Sequence, residues 1–319
     1  MTNKILIAIT MCVLSLAFAT RAVEGGSGHY PPGSYQDFST MPPSQPGLYV
    51  ANYFLDYGNG TADVSKELPR GGIFAAGVTA NIQAEVPIIL YAYPFNLGNV
   101  TFSTGIFPSW IWEDVSATAT FDGNHVPLSG AKSESVNGFG DIQVTPIQTS
   151  WTNGDFTVGG IFNVWAPSGT YNPGQLANPG MGYYTFELMP AFSWFSTKFG
   201  TEFTIFPAVD FNTMNNTTDY KSGDIFHVDA TLAQHLPLFG GFAGAGATVS
   251  YIQQITGDSG SGARLGSFEE QSVAVGPIVS YVHKIGQKTL IIDGSWLPQV
   301  QTRNTTRGNY FWAKLTFAF

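Results

Sequence analysis

The side chains best suited to chemistry in this chain are Glu187, Glu202, His227 and Asp229. Carboxylates near an imidazole can move protons, hold a cation or bind a polar solute. Each lies in a stretch where polar and apolar residues alternate with the period of a strand, and each is on the polar face. On neighbouring strands at similar depth, the four would form an acidic patch in a lumen that selects or orients a solute. The plainer reading is a hydrogen-bonded interior that keeps the shape of the fold, because enclosed strands always carry polar inward residues. Enzyme readings have less behind them. Ser222, His227 and Asp229 have the residue types of a hydrolase, but no nucleophile motif surrounds Ser222. His227 and His235 share a face eight residues apart, roughly 26 Å along a strand and too far for one metal ion. Gly240-Gly241 and Gly244-x-Gly246 precede no helix and so form no phosphate loop. No catalytic residue, metal or cofactor is expected.

Two further features concern the interior. Hairpin pairing across 299–307 sets Lys314 nearly opposite Asp293, which predicts a lumen ion pair. Gly246 and Thr248 belong to inward faces made mostly of small residues: Gly244, Gly246, Thr248 and Ser250, then Ser272, Ala274, Gly276 and Ser280. Small inward residues leave room, so a narrow passage along that wall is expected, with Gly246 and Thr248 among the solute-contacting candidates.

Strands must position all of these residues. From Gly47 on, alternating segments fall at 48–57, 73–90, 98–107, 138–151, 154–166, 182–195, 198–212, 222–235, 241–256, 271–284, 288–298 and 308–319. That is about twelve strands, within a range of 10–14. The junctions between them alternate short and long. Asn153-Gly154 is a strong two-residue hairpin signal, whereas 58–72, 108–137, 167–181, 213–221, 257–270 and 299–307 are long. Tight turns at one end and larger loops at the other are the habit of outer-membrane barrels. In the last strand Phe311, Ala313, Leu315, Phe317 and Phe319 share one face. Such a closing strand, ending in Phe319, suits handling by barrel-assembly machinery. The expected fold is all-β: a transmembrane, antiparallel, up-and-down barrel over residues 47–319.

Composition agrees. Aromatic residues make up 14% of the chain and charged residues only 11%, against about 25% in ordinary soluble domains. A barrel wrapped in lipid needs no charged coat. The net charge of −9 disfavours a nucleic-acid partner. Residues 1–22 read as a signal peptide, with Lys4, an apolar run from Ile5 to Ala19, and cleavage after Ala19 or Ala22. The only cysteine, Cys12, lies within it. Residues 23–46, rich in Pro and Gly, have no period and read as an extended arm. It is either a periplasmic leader or a segment folded into the barrel mouth, and the leader is the preferred expectation.

Three stretches resemble one family. They are Glu24-Gly25-Gly26-Ser27-Gly28-His29-Tyr30-Pro31-Pro32-Gly33, Gly138-Phe139-Gly140-Asp141-Ile142 running to Pro146, and Trp165-Ala166-Pro167-Ser168-Gly169-Thr170-Tyr171. Their order and spacing are similar to the outer-membrane family labelled "putative MetA-pathway of phenol degradation", with Ser168 a mild departure. The resemblance implies a barrel encoded near aromatic-degradation pathways that passes hydrophobic or aromatic compounds. Asp141 and Tyr171 are its motif positions, Asp141 to satisfy a lumen or strand-edge amide and Tyr171 to anchor an external loop. The functional expectation is a passive outer-membrane channel for small hydrophobic or aromatic solutes, with membrane lipid and lipopolysaccharide as surroundings. The alternative is a plugged structural or adhesive barrel with functional external loops.

Overall fold

The computed structural model describes residues 28–67, 73–123, 126–263, 267 and 269–319. The signal-peptide expectation and the possible cleavage points lie outside the described residues. The strands are β1 (Gly47–Glu67), β2 (Ile73–Leu97), β3 (Val100–Phe107), β4 (Trp110–Gly123), β5 (Val126–Phe139), β6 (Ile142–Asn153), β7 (Phe156–Ala166), β8 (Thr185–Phe195), β9 (Thr201–Asn212), β10 (Ile225–Leu238), β11 (Gly241–Gln254), β12 (Gln271–Ile285), β13 (Lys288–Arg303) and β14 (Arg307–Ala318).

All pairs are antiparallel, and β1 pairs with both β14 and β2, which closes the ring. β3 and β4 lie end to end along β2, β3 on residues 89–97 and β4 on 73–85. β5 and β6 likewise lie end to end, β5 on β4 and β6 on β3. Each end-to-end pair acts as one long strand, so the barrel has twelve strands around its circumference. The breaks fall at Pro108-Ser109 and Gly140-Asp141. Pro108 has no amide to donate, and the Gly140 amide donates to Ser109 O at 3.0 Å, tying the two breaks together. The segment 108–137, expected as a loop, is therefore mostly the β4–β5 hairpin, which continues the wall upward. Likewise β1 extends to Glu67, well into the 58–72 junction. Both expectations failed because neither segment has the apolar outward face by which the other strands were recognised.

The tight turns lie at one end. Gly98-Asn99 and Phe239-Gly240 have both residues at positive φ, the I′ geometry that matches strand twist. Outward faces on most strands are apolar. Phe186, Leu188, Pro190 and Phe192 face out on β8, and Phe203, Ile205, Pro207 and Val209 on β9. Closure pairs the backbone and leaves this apolar surface for hydrocarbon.

The arm does not stand outside as a leader. Residues 28–46 run through the lumen, with Tyr30, Gln36 and Asp37 all buried. His29 sits near the ends of β6 and β8 on the long-loop side. The chain then descends to Ser44, whose carbonyl accepts from Thr101 Oγ1 near the tight-turn end, and enters β1.

If the outward face meets hydrocarbon, a charge there is costly. Val279→Arg, replacing a residue 57% exposed on the outer wall of β12, is expected to lower stability by about 2–4 kcal/mol. The reverse substitution on the inner wall, Thr204→Val, should not show this lipid dependence. Urea unfolding in lipid vesicles measures both.

Candidate functional site: a plugged lumen with one apolar wall

The inner wall has two chemistries. From β6 round to β14 it carries hydrogen-bonding side chains, and the arm lies against them. Tyr30 stacks on His227 with ring centroids 3.6 Å apart, and its hydroxyl donates to Asp229 Oδ2 at 2.6 Å. The Gly33 amide donates to the same oxygen at 2.9 Å. Below the Tyr30 ring, His227 Nε2 lies 3.0 Å from Glu187 Oε2 and 3.3 Å from Asp210 Oδ1, while Asn163 Nδ2 donates to Glu187 Oε1 at 2.6 Å. Nearer the tight-turn end, the Phe38 amide donates to Glu202 Oε1 at 2.6 Å, and His235 Nε2 is 2.7 Å from Glu202 Oε2. A short 3-10 turn, Phe38–Thr40, is capped by Asp37 and seats the arm there.

Asp293 and Lys314 face each other in the β13–β14 register, as their spacing implies. Among the described residues, however, no ion pair joins them. Lys314 Nζ donates instead to Gly33 O at 2.7 Å, Ser34 O at 2.9 Å and Gln36 Oε1 at 3.1 Å. Asp293 Oδ2 accepts from Ser39 Oγ at 3.0 Å. The arm brings carbonyls and a hydroxyl into the lumen, and these need the donor and acceptor that the ion pair would have used for itself. Trp312 Nε1 adds a bond to Pro32 O at 2.8 Å.

The remaining side of the lumen, formed by β1, β2, the end of β3 at Phe107 and the start of β4, is largely apolar. Ala51, Tyr53 and Leu55 point inward from β1, Ala84, Val86, Ile88 and Leu90 from β2, then Phe107 and Ile111. Between this wall and the arm lies a cavity of about 760 Å³. It reaches from Thr218, Glu270 and Thr305 at the long-loop end to Ser44, Thr157 and Thr316 at the other.

None of Glu187, Glu202, His227, Asp229, Gly246 and Thr248 lines this cavity. The four ionisable residues hold the arm or brace the residues that do. Thr248 bonds Thr231 Oγ1 at 2.6 Å, and a Cβ on Gly246 would meet the β10 backbone at Leu232 and Ala233. The small residues of β11 and β12 therefore serve close packing, and the cavity lies along β1–β3 and not along the wall where a passage was expected. Asp141 and Tyr171 do border the cavity. Asp141 accepts from the amides of Gly169 at 2.8 Å and Met181 at 2.7 Å and contacts His29 Nε2 at 2.9 Å. One carboxylate thus ties the β7–β8 loop and the arm to the β5–β6 break.

Sequence reasoning missed Tyr30, Gly33 and the apolar wall. The wall had a signal: in 78–90 the apolar set Val78, Ala80, Ile82, Ala84, Val86, Ile88 and Leu90 alternates with Thr79, Asn81, Gln83 and Glu85, the polarity of a strand turned inside out.

In the external loop region, burial pushes the Glu270 carboxyl up to about 8, helped by the neighbouring carboxylates of Asp258 and Asp210 and opposed by a hydrogen bond from Thr305. The folded state thus keeps a proton that the unfolded chain releases near 4.5, so stability falls as pH rises between these values. Glu270→Gln should flatten that fall, read as urea midpoints at about pH 5 and pH 9. Gly33 has φ +84°, and a side chain there would strike Leu297 and the Trp312 indole. Gly33→Val should dislodge the arm and raise single-channel conductance several-fold while the barrel stays folded; unchanged conductance would show that the arm does not limit the lumen.

These features define a closed β-barrel with an internally folded arm and a one-sided apolar lumen. The chain belongs to the family described as "Putative MetA-pathway of phenol degradation", whose family model matches residues 57–315. Among solved structures it is similar to the COG4313 outer membrane channel from Pseudomonas putida F1, at 12% identity and a TM-score of 0.58, over 91% of this chain and 100% of that one. A Pseudomonas aeruginosa FadL homologue aligns over 95% of this chain and 96% of that one, at 10% identity and a TM-score of 0.39. No curated protein matches the chain. The barrel fold is shared with the COG4313 channel.

Proposed function

We propose that this barrel is a passive channel of the bacterial outer membrane that admits small hydrophobic or aromatic solutes between the arm and the β1–β3 wall. The observation that carries it is the apolar lining of the cavity, whose length spans both ends of the lumen. Diffusion along such a wall requires no catalytic group or cofactor, and the lumen carboxylates are occupied with the arm. Tyr53 and Phe107 offer faces on which a planar ring can stack. Family membership links the chain to phenol degradation by name, which agrees with aromatic cargo. In this reading residues 1–22 direct export through the inner membrane, and Phe319 presents the closing strand to the assembly machinery.

A second reading, a plugged barrel that acts through its external loops, is favoured by the number of bonds that fix the arm. Liposomes separate the two. The intact barrel should speed entry of phenol far more than entry of glucose, and the paired change Ala84→Asp with Ile88→Asp should cut phenol entry about ten-fold by placing charges in the apolar path. No solute flux through the correctly folded intact barrel would favour the plugged reading instead.

A further inference from the structure

Two Glu–His pairs face the arm from the polar wall, and they are not equivalent. In the pair nearer the tight turns both oxygens of Glu202 are answered. Oε1 accepts from the Phe38 amide and from Thr204 Oγ1, each at 2.6 Å, and Oε2 lies 2.7 Å from His235 Nε2. In the other pair a second carboxylate enters. Glu187 of β8 and Asp210 of β9 are directly opposite in register, and His227 is the inward residue of β10 beside them. Its Nε2 lies 3.0 Å from Glu187 Oε2 and 3.3 Å from Asp210 Oδ1, and one ligand atom from each residue lies within 4.8 Å of the other two. Asp210 Oδ2, on a side chain only 1% exposed, has no hydrogen-bond partner among the described residues.

Charge makes this trio unstable by itself. Two carboxylates are shut away from water with one imidazole between them, and a single Nε2–H can point at only one oxygen. Even an imidazolium would leave one of the two negative charges unanswered. A divalent cation answers both. The spacing suits one: bonds of about 2.0–2.1 Å in a tetrahedral centre set ligand atoms roughly 3.4 Å apart, and two of the three separations here are 3.0 and 3.3 Å. A partner that would orient a ligand is also in place. Asn163 Nδ2 donates to Glu187 Oε1 at 2.6 Å and is itself fixed by Thr145 Oγ1, which donates to Asn163 Oδ1 at 2.5 Å, and this leaves Glu187 Oε2 for the centre. An imidazole among the ligands favours zinc over calcium or magnesium, which take oxygen ligands and more of them. The Tyr30 ring stacked on His227 closes the site, so the ion enters while the barrel folds and before the arm settles.

We infer that Glu187, Asp210 and His227 form a zinc site in the lumen, covered by Tyr30, that ties β8, β9 and β10 together behind the arm. None of its tests depends on which solute the barrel passes. The full-length barrel is refolded from urea into detergent with excess zinc chloride and desalted, and its metal is counted by plasma mass spectrometry. About one zinc per chain should stay. Asp210→Asn and His227→Gln should each lower retention about ten-fold, whereas Glu202→Gln, in the pair that has no second carboxylate, should leave it unchanged. X-ray absorption at the zinc edge of the intact protein needs no variant to fold, and it should show one imidazole among oxygen ligands. Retention of no zinc by the intact barrel overturns the inference, because the two carboxylates then share a proton in place of a metal. So does retention that Asp210→Asn and His227→Gln leave intact, an equal loss in Glu202→Gln, or a shell of oxygen alone.

Discussion

A closed ring of strands satisfies the backbone of its ladders without help from either face. That constraint frees the faces: once the ladder closes, which side of a strand is oily is decided locally by what stands on each side. On β6 to β14 the outside is apolar and the inside polar. On β1, β2 and β4 the order reverses over part of the wall, with Ala51, Leu55, Ala84 and Val86 inside and Asn52, Asp56, Gln83 and Glu85 outside. A sheet that relied on a buried core on one face would not tolerate the switch. A closed ring does, because the hydrogen bonds between β1 and β2 run unbroken through it apart from one bulge near Gly58.

The reversal also explains where the arm lies. A chain threaded through a lumen brings unpaired amides and carbonyls with it, and these must find partners. The polar half of the wall supplies them from fixed strand positions: carboxylates at Asp229 and Glu202 for amides, Lys314 and the Trp312 indole for carbonyls. The apolar half supplies few: Thr101 Oγ1 donates to the Ser44 carbonyl and the Tyr49 hydroxyl to that of Gln45, both where the arm enters β1. The arm is thus pulled to one side, and the space left over takes the character of the other side. An oily cavity inside a membrane barrel follows from this unequal division.

Much of the fold was legible because the lipid face is repetitive. Strands such as β8 and β9 announce themselves through Phe186, Leu188, Phe203 and Ile205, and the Asn153-Gly154 turn marks its own hairpin. The β4–β5 hairpin was illegible for the opposite reason, since Asp114, Ser116, Ser133 and Ser135 look like loop residues when lipid is assumed outside. The polar lumen residues were legible as a set, and His227 lies within contact of Glu187. Their task was not. Pairing Asp293 with Lys314 is the natural reading of two facing charges, and it fails because Ser39 and the Gly33 carbonyl arrive from a segment over 250 residues away in sequence. No local pattern in 28–46 declares those bonds; glycine and proline there signal only the lack of a regular element.

The same division bears on how tightly the arm is held. Buried ionisable groups at Glu187, Asp210, His227 and Asp229 are stabilised only while paired, and the ring of Tyr30 covers the imidazole that Glu187 and Asp210 share. Lifting the arm as a unit would expose four charged or chargeable side chains and strip Lys314 of its carbonyl acceptors, so partial withdrawal is costly at several points together. The opposite edge of the arm faces Tyr53 and Ile88 with no comparable bonds. Movement of a solute along that edge need not disturb the anchors at all, and a fixed arm is therefore compatible with an open path.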